Sequence, residues 1–382
     1  MVTKTGLEIL GAMLEEDRTA LVGPRYGRLE QRGAYRAGSV PGELVLGGRK
    51  VRVRRPRVRS LEGGEVSLPT YEAFRRDDPL AEHVVAQMLR GVSTRDYEEG
   101  LEKVGEGIEA RGVRKSAVSR FFVCQTRGKV EAFLGRRLQD LDLPVLMLDG
   151  IEFAGHLLVV VLGIDAEGNK HVLGIREGST ENAEVCKALL ADLVERGLAA
   201  DRWRLVAIDG SKALHRAVWE VFGKSAVIQR CQLHKIRNVL GHLPKGKHGL
   251  VRSAMREAYR CGDAVLARTK LLALAARLRR EHPGAAASLR EGLEETLTVL
   301  VLGLPEVLRR SLATTNAIES LFSMVRTYAR NVKRWRDGAM ALRWAGTGVL
   351  EAGKRFHRLK GHRQIPLLIE ALRRQAAQLE VA

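Results

Sequence analysis

Two aspartates, each closing an apolar run and each followed by glycine, are the residues of this sequence best suited to chemistry. Asp149 ends the run PVLMLDG and Asp209 ends RLVAIDG. A carboxylate at the carboxyl end of an apolar strand lies where α/β proteins gather their sites. Burying two such charges is costly unless a cation or hydrogen-bonding partners compensate. Mg²⁺ or Mn²⁺ provides that compensation, because it takes carboxylate oxygens and keeps positions for water and phosphate. Two such ions about 3.5–4 Å apart can activate a nucleophile and stabilise the leaving oxygen of a phosphodiester. The competing reading of an Asp-Gly pair is a helix N-cap after a strand. That reading suits a lone Asp-Gly, whereas two of them ending strands favour metal. A third acid would complete the set. Glu319, in TTNAIES, is the candidate, with Arg326 and Arg330 following at spacings of 7 and 4 and then Lys333. Such spacings put a metal-binding carboxylate and cations for a DNA backbone on roughly one helix face. A surface glutamate paired with a nearby arginine fits the same spacing equally well.

The elements around these acids follow from periodicity. PVLMLDGIEF, HLLVVVLGID and KHVLGIRE predict three strands with short links, the last pair joined at Gly168-Asn169, hence an antiparallel meander. An amphipathic helix over 181–196, stopped by Gly197, comes next. Then follow the strand RWRLVAIDG, the helix SKALHRAVWEVF and the strand SAVIQR. The order β-β-β-α-β-α-β-α is the RNase H-like order. Residues 232–313 are rich in Ala, Leu and Arg with almost no strand signal, which predicts helices. Residues 314–329 predict a helix capped by Thr314 or Thr315, with Ile318, Leu321, Phe322 and Val325 as its apolar stripe. A basic, helical tail runs to 382.

Upstream, residues 1–30 show helical spacing and 31–75 read as β-rich, with Gly and Pro punctuation. That segment carries Arg49, Lys50, Arg52, Arg54, Arg55, Arg57 and Arg59. If Leu46, Val51 and Val53 face one side of a strand, several of these cations share the other, a ribbon suited to phosphates. A solvated edge strand protected by charge is the alternative. Residues 78–128 predict three helices: one with Pro79 in its first turn and ended by Gly91, one capped by Ser93, and one over 114–125 bearing Arg114, Lys115 and Arg120. Short helices with a basic third member resemble a helix-turn-helix, although such triplets are commonly only packing units.

The chain has 382 residues, an apolar fraction of 45% and a formal charge of +19, from 64 Lys+Arg against 45 Asp+Glu. The apolar fraction suffices for a core. The charge points to a polyanion, nucleic acid first and an anionic membrane surface second, unless it reflects only a genome's preference for arginine. Cys124, Cys186, Cys231 and Cys261 are scattered with no CxxC, so a disulfide framework is not expected and a reducing cytoplasm is. Acids interrupt the first apolar stretch, which argues against a secretory signal. No run approaches the roughly 18 apolar residues of a membrane span. No Ser-His-Asp or phosphate-loop pattern is present.

The segments LDGIEFAG, VVVLGIDAEGNKHVLGIREGSTENAEVCKALLADLVERGL, RLVAIDGSKALHRAV, VIQRCQLHKIRNVL and TTNAIES, in one colinear order, carry a resemblance. The sequence resembles the mutator-type bacterial insertion-sequence transposases, within the DDE enzymes. The likeness spans about residues 35–370 and includes GSVPGELVLGGRKVRVRRPRVR upstream and VKRWRDGAMALRWAGTGVLEAGKRF in the tail. It implies an RNase H-like core with a helical insertion between the second Asp and the Glu. It implies two Mg²⁺ (or Mn²⁺) ions held by Asp149, Asp209 and Glu319, and it strengthens the helix-turn-helix reading. It also marks Cys231 and His234. CxxH is half a zinc site by spacing, but no second half lies nearby, so a buried Cys and an orienting His are preferred. His234 is then a candidate to contact the scissile phosphate or to position Asp209. Asn316 is a candidate hydrogen-bonding group at the same site, unless it serves only the helix's first turn. Gln232 stands where many relatives carry an aromatic residue, and the first 30 residues are the least diagnostic.

The resulting expectation is an α/β protein. Residues 1–76 form a helical and basic β-rich DNA-binding region and 77–140 a helix-turn-helix-like domain. Residues 141–238 form the first part of an RNase H-like core, 239–313 an all-helical insertion, and 314–382 the second part of the core with basic C-terminal helices. The expected function is a DNA transposase that binds terminal inverted repeats of an insertion element. It would cleave and transfer strands without a covalent protein–DNA intermediate, in the copy-out/paste-in manner through a circle. The expected partners are double-stranded DNA, both repeats and target, and a second copy, as a homodimer on DNA. The expected location is the cytoplasm, with the nucleoid. Another RNase H-like nuclease is disfavoured by the basic N-terminal region and the insertion. A transposase-derived DNA-binding regulator without catalysis is the alternative.

Overall fold

The computed structural model describes residues 2–27, 33–46, 49–76, 81–93, 97, 110–111, 115–178 and 182–381. The chain divides into two compact units, residues 1–128 with 328–331, and residues 129–327 with 332–382. No described helix is long and apolar enough to cross a membrane.

The first unit opens with α1 (Val2–Val22), followed by the antiparallel pair β1 (Ala34–Leu46) and β2 (Arg49–Ser60). Leu10 and Leu14, one turn apart on α1, bury against Leu44, Val58, Leu68 and Tyr71. β3 (Glu65–Val66) and, later, β4 (Ala110–Arg111) extend β2 by short ladders. Between them lie α2 (Pro69–Arg76) and α3 (Ala81–Leu89). Pro69 has the fixed φ suited to a first helical turn, so a helix begins inside the stretch that the sequence pattern reads as β-rich. α4 (Lys115–Gly135) runs past the expected end at Gln125. The middle helix of the expected helix-turn-helix falls on 93–104, of which only Ser93 and Tyr97 are among the described residues, and Arg114 lies outside them.

The arginines of β2 do not share one free face. Val51 and Val58 are both fully buried although seven residues apart, so each face of the strand is covered along part of its length. Arg55 lies over the Tyr71 ring at 4.7 Å, and Arg55 and Arg57 both bond Glu65. Lys50, Arg52, Arg54 and Arg59 are exposed, and the side chain of Arg49 is outside the described set.

The second unit is built on β5 (Val145–Phe153), β6 (His156–Ile164), β7 (Lys170–Glu177), α5 (Ala183–Glu195), β8 (Arg204–Ile208), α6 (Lys212–Phe222), β9 (Ala226–Arg230) and α7 (Gln232–Gly241). The element order is the one predicted. The five strands form one sheet in the order β7-β6-β5-β8-β9, antiparallel among the first three and parallel from β5 to β9. Apolar residues bury on both faces of β5 and β6, which is why these segments read as continuous apolar runs rather than alternations. α5 and α6 cover one face through Leu189, Leu190, Leu193, Leu214 and Val218.

Residues beyond α7 hold no strand among the described residues. α8 (His248–Arg260), α9 (Ala264–Arg279), α10 (Pro283–Arg290), α11 (Thr298–Val301) and α12 (Glu306–Leu312) lead to α13 (Asn316–Tyr328), α14 (Gly338–Gly353) and α15 (Ile365–Val381). Ile236, Val239 and Leu240 of α7 pack into the core shared by α8, α9 and α10. Buried polar ties fix the join. Lys235 Nζ donates to the carbonyls of Ser288 (2.7 Å) and Glu291 (2.6 Å), and Gln229 Nε2 donates to Thr296 O at 3.0 Å. These ties satisfy groups that burial would otherwise penalise.

Candidate active site

The parallel pairing of β5 with β8 sets Leu148 beside Ile208, so Asp149 and Asp209 follow at neighbouring positions. Asp149 does not end its strand. β5 continues to Phe153 because its antiparallel partner β6 continues, whereas β8 stops at Ile208. Neither acid caps a helix: Asp149 is inside a strand, and the cap of α6 is Ser211, whose hydroxyl accepts from Leu214 N–H. Asp209 Oδ1 accepts the Ser211 N–H at 2.8 Å. Asp149 is 1% exposed, and its Oδ2 has no hydrogen-bond partner.

Glu319 enters from α13. Phe153 at the end of β5 meets Phe322 edge-on at 6.1 Å and Trp335 at 5.3 Å, and Arg326 Nη2 donates to Glu152 O at 2.8 Å. On the far side a Cβ at Gly348 would stand 3.0 Å from Val325 Cγ1, so the glycine lets α14 close on α13. The acid of the first turn is thereby carried toward the two aspartates. Glu319 Oε1 accepts Arg237 Nη1 at 2.7 Å and lies 3.8 Å from His234 Nε2.

His234 and Arg237 are three residues apart on α7 and so share a face. Two backbone bonds fix the start of this helix: Cys231 N–H to Ile208 O at 2.7 Å and Gln232 N–H to Ala313 O at 2.9 Å. Cys231 is buried, without a disulfide.

Burial pushes the Asp149 carboxyl up to about 6; the charge of His234 and the nearby Thr315 hydroxyl oppose the rise, and Asp209 and Glu319 add to it. Burial also raises Asp209, against the Ser211 N–H and the charges of His234 and Arg230. The His234 imidazole is raised to about 9 by its interaction with Cys231 against the cost of burial, with Asp149 and Asp209 contributing. Burial alone would raise the Cys231 thiol, but His234 outweighs it and lowers the thiol below the usual range. An open cleft of ≈ 470 Å³ adjoins these groups, lined by Asp209, Ser211, Lys212, His234 and Asn238 among others.

The structure thus brings together Asp149, Asp209, Glu319, Cys231 and His234. Among the described residues no three His, Cys, Asp or Glu side chains stand close enough to hold a metal ion as they are placed. Asn316 is exposed on the first turn of α13. Arg326 bonds the β5 carbonyl rather than flanking Glu319, and Arg330 lies beyond the helix, where its Nη2 donates to Arg90 O at 2.9 Å. Lys333, Lys115 and Arg120 are exposed. Arg237, Lys212 and Asn238 are new to the site. For Arg237 the signal was available, one turn after His234. Asn238, four residues after His234 on α7, and Lys212, three after Asp209, were within reach of the same kind of spacing argument.

A mixed five-stranded sheet with one acid within a strand and a second just past the end of the adjacent parallel strand, followed by many helices, is consistent with an RNase H-like core. Over residues 2–358 the chain matches the family described as "Transposase, Mutator family". It is 33% identical over 253 residues, 64% of this chain and 75% of the relative, to the transposase for insertion sequence element IS6120 of Mycolicibacterium smegmatis. It is 29% identical over 330 residues, 84% of this chain and 78% of the relative, to that of ISRM5 of Rhizobium meliloti. It is 26% identical over 355 residues, 90% and 87% respectively, to that of IS256 in transposon Tn4001 of Staphylococcus aureus. The chain belongs to the Mutator family of transposases.

Proposed function

We propose that this transposase binds the terminal inverted repeats of an insertion element and cuts and joins DNA strands at Asp149, Asp209 and Glu319, with two Mg²⁺ or Mn²⁺ ions. The observation that carries the reading is the placement of two burial-strained carboxylates at neighbouring positions, one within β5 and one just past the end of parallel β8, with a third delivered by α13. The donor set fits divalent cations: Asp149 Oδ2 is buried without a partner, and the neighbouring acids make its ionised form still less favourable. When bound, such ions supply Lewis-acid stabilisation of the phosphodiester and ease deprotonation of water.

The chain's own residues do the rest. β5 and β8 hold the two aspartates rigidly, while Glu319 joins them by exchanging its bond to Arg237. Lys212 at the cleft and Arg237 beside Glu319 attract the DNA backbone. His234, protonated at neutral pH, places a cation beside Asp149 and Asp209 and toward the phosphate between them. Water attacks the phosphorus at the element end, the P–O3′ bond breaks, and a 3′-hydroxyl and a 5′-phosphate result. That hydroxyl attacks a second phosphodiester, forming one P–O bond as another breaks. No covalent protein–DNA intermediate is needed. Joining two ends calls for at least a dimer on DNA, and copy-out/paste-in transposition through a circle is the route this reading favours.

The test uses labelled DNA carrying the element's ends, with and without Mg²⁺, and the Asp149→Asn protein beside the parent. Metal-dependent nicks at the repeat end and joined products, both lost in the variant, are expected. Specific binding without cutting, unchanged in the variant, would leave a DNA-binding regulator and remove the catalytic assignment.

A further inference from the structure

The helical region between β9 and α13 carries cations that the catalytic cleft does not use. Arg252, Arg256 and Arg260 stand at i, i+4 and i+8 on α8 and so form one stripe along the helix. All three are exposed and line a groove of ≈ 420 Å³ with Gly249, Ser253 and Glu257. The opposite face of α8 is fixed, because Val251, Met255, Ala258 and Tyr259 are buried in the shared helical core. The stripe is therefore presented by a rigid element.

Its charge is also uncompensated. Three neighbouring cations of this region are paired: Lys247 with Glu281 at 2.5 Å, Arg268 with Glu294 at 2.7 Å, and Lys270 with Glu257 at 2.6 Å. The last of these takes up the one carboxylate in the groove. Among the described residues none of Arg252, Arg256 and Arg260 forms a salt bridge. Three unpaired guanidinium groups on a fixed face are suited to phosphate oxygens, which they bind through planar, charge-assisted bonds. At 1.5 Å per residue the stripe extends about 12 Å. That length covers roughly three to four phosphates of one strand at about 3.4 Å of axis each.

We propose that Arg252, Arg256 and Arg260 form a second DNA-docking surface, which grips the phosphate backbone of a duplex without reading its sequence. The proposal rests on the reading of the chain as a DNA strand-transfer enzyme and assigns the helical insertion a part in it. The stripe lies in the same compact unit as the three acids, so it can hold a duplex segment while another occupies the cleft.

The experiment measures the Kd of the full chain for a mixed-sequence duplex lacking the element's ends, across 50 to 200 mM salt. Three variants are compared with the parent: Arg252→Ala/Arg256→Ala/Arg260→Ala, the same three positions changed to Lys, and Lys354→Ala/Arg373→Ala/Arg374→Ala as a control of equal charge. Loss of three phosphate contacts lowers the salt slope by about 2.7, so the alanine variant should lose roughly 40-fold less affinity than the parent over that range. The lysine variant should retain most of the slope, and the control should match the parent. Circular dichroism of the lysine variant checks the fold independently of binding. A parent slope retained in the alanine variant, or an equal drop in the control, overturns the stripe while leaving the catalytic reading intact. No binding of DNA by the parent at 50 mM salt overturns both. Loss of adhesion to anionic vesicles with an unchanged DNA slope would assign the stripe to a lipid surface and overturn the proposal.

Discussion

Asp149→Asn should make the metal-free protein more stable at neutral pH while removing its activity. The side chain is nearly inaccessible, and the cost of burying its charge lifts its pKa from 3.8 to about 6. Folding therefore disfavours the ionised form. Below pH 3.8 the carboxyl is neutral in both states and costs nothing. Between 3.8 and about 6 the penalty grows, and above that it is constant. A rise of this size corresponds to about 3 kcal/mol, at 1.36 kcal/mol for each tenfold step. Asparagine keeps the shape and removes the charge, so at pH 7.5 it should recover up to about 3 kcal/mol. For a unit of this size roughly 2–4 °C accompanies each kcal/mol, so Tm should rise by several degrees. All four tryptophans, Trp203, Trp219, Trp335 and Trp344, lie in the unit that contains the acids, so their fluorescence reports its unfolding. Melts in EDTA at pH 7.5 and pH 4 would show the gain at the first and little at the second. A variant that is less stable than the parent at pH 7.5, or whose gain is the same at both pH values, would refute the argument that charge burial is what burdens this strand.

Further outcomes follow from the same geometry. Mg²⁺ or Mn²⁺ should raise the Tm of the parent but not of Asp149→Asn, since a ligand stabilises only the state that binds it; equal shifts in both would argue against Asp149 as a ligand. Arg237→Ala breaks a partly exposed ion pair and should change stability by less than about 1 kcal/mol. In a titration without DNA it should tighten Mn²⁺ binding, because Glu319 loses its competing cation; weaker binding would count against that competition. Lys235→Met leaves the Ser288 and Glu291 carbonyls without their donor and should cost about 2–3 kcal/mol in chemical denaturation. Phe322→Ala removes a fully buried ring from the contact between β5 and α13. It should cost about 3–5 kcal/mol and, by loosening Glu319, lower strand cleavage in the fraction that remains folded.

Much of the core was legible because local physics and tertiary packing agree there. Continuous apolar runs such as HLLVVV can persist only as strands covered on both faces, and the helices between them carry clear stops such as Gly197 and caps such as Ser211. Their order alone led to the five-stranded sheet. The two Asp-Gly endings were likewise visible, since an acid closing an apolar run needs a reason to be there. The N-terminal unit was less transparent. Pro69 starts a helix within a β-like stretch, and the arginines of β2 divide between solvent, Glu65 and Tyr71 because both faces of that strand are partly covered.

By itself, then, the sequence pointed to the kinds and order of the core elements and singled out Asp149, Asp209 and Glu319 as candidates, because such signals depend on neighbours within a few residues. Only the tertiary structure decided which strands lie side by side, and hence that Asp149 and Asp209 meet. It decided that Glu319 answers to Arg237, 82 residues away, rather than to Arg326 on its own helix. The spacing of α13 offered only Arg326, since Arg237 stands on α7. The choice was made by Phe153, Phe322 and Gly348, whose packing sets how that helix lies against the sheet. Periodicity names a face, and only packing chooses what the face meets.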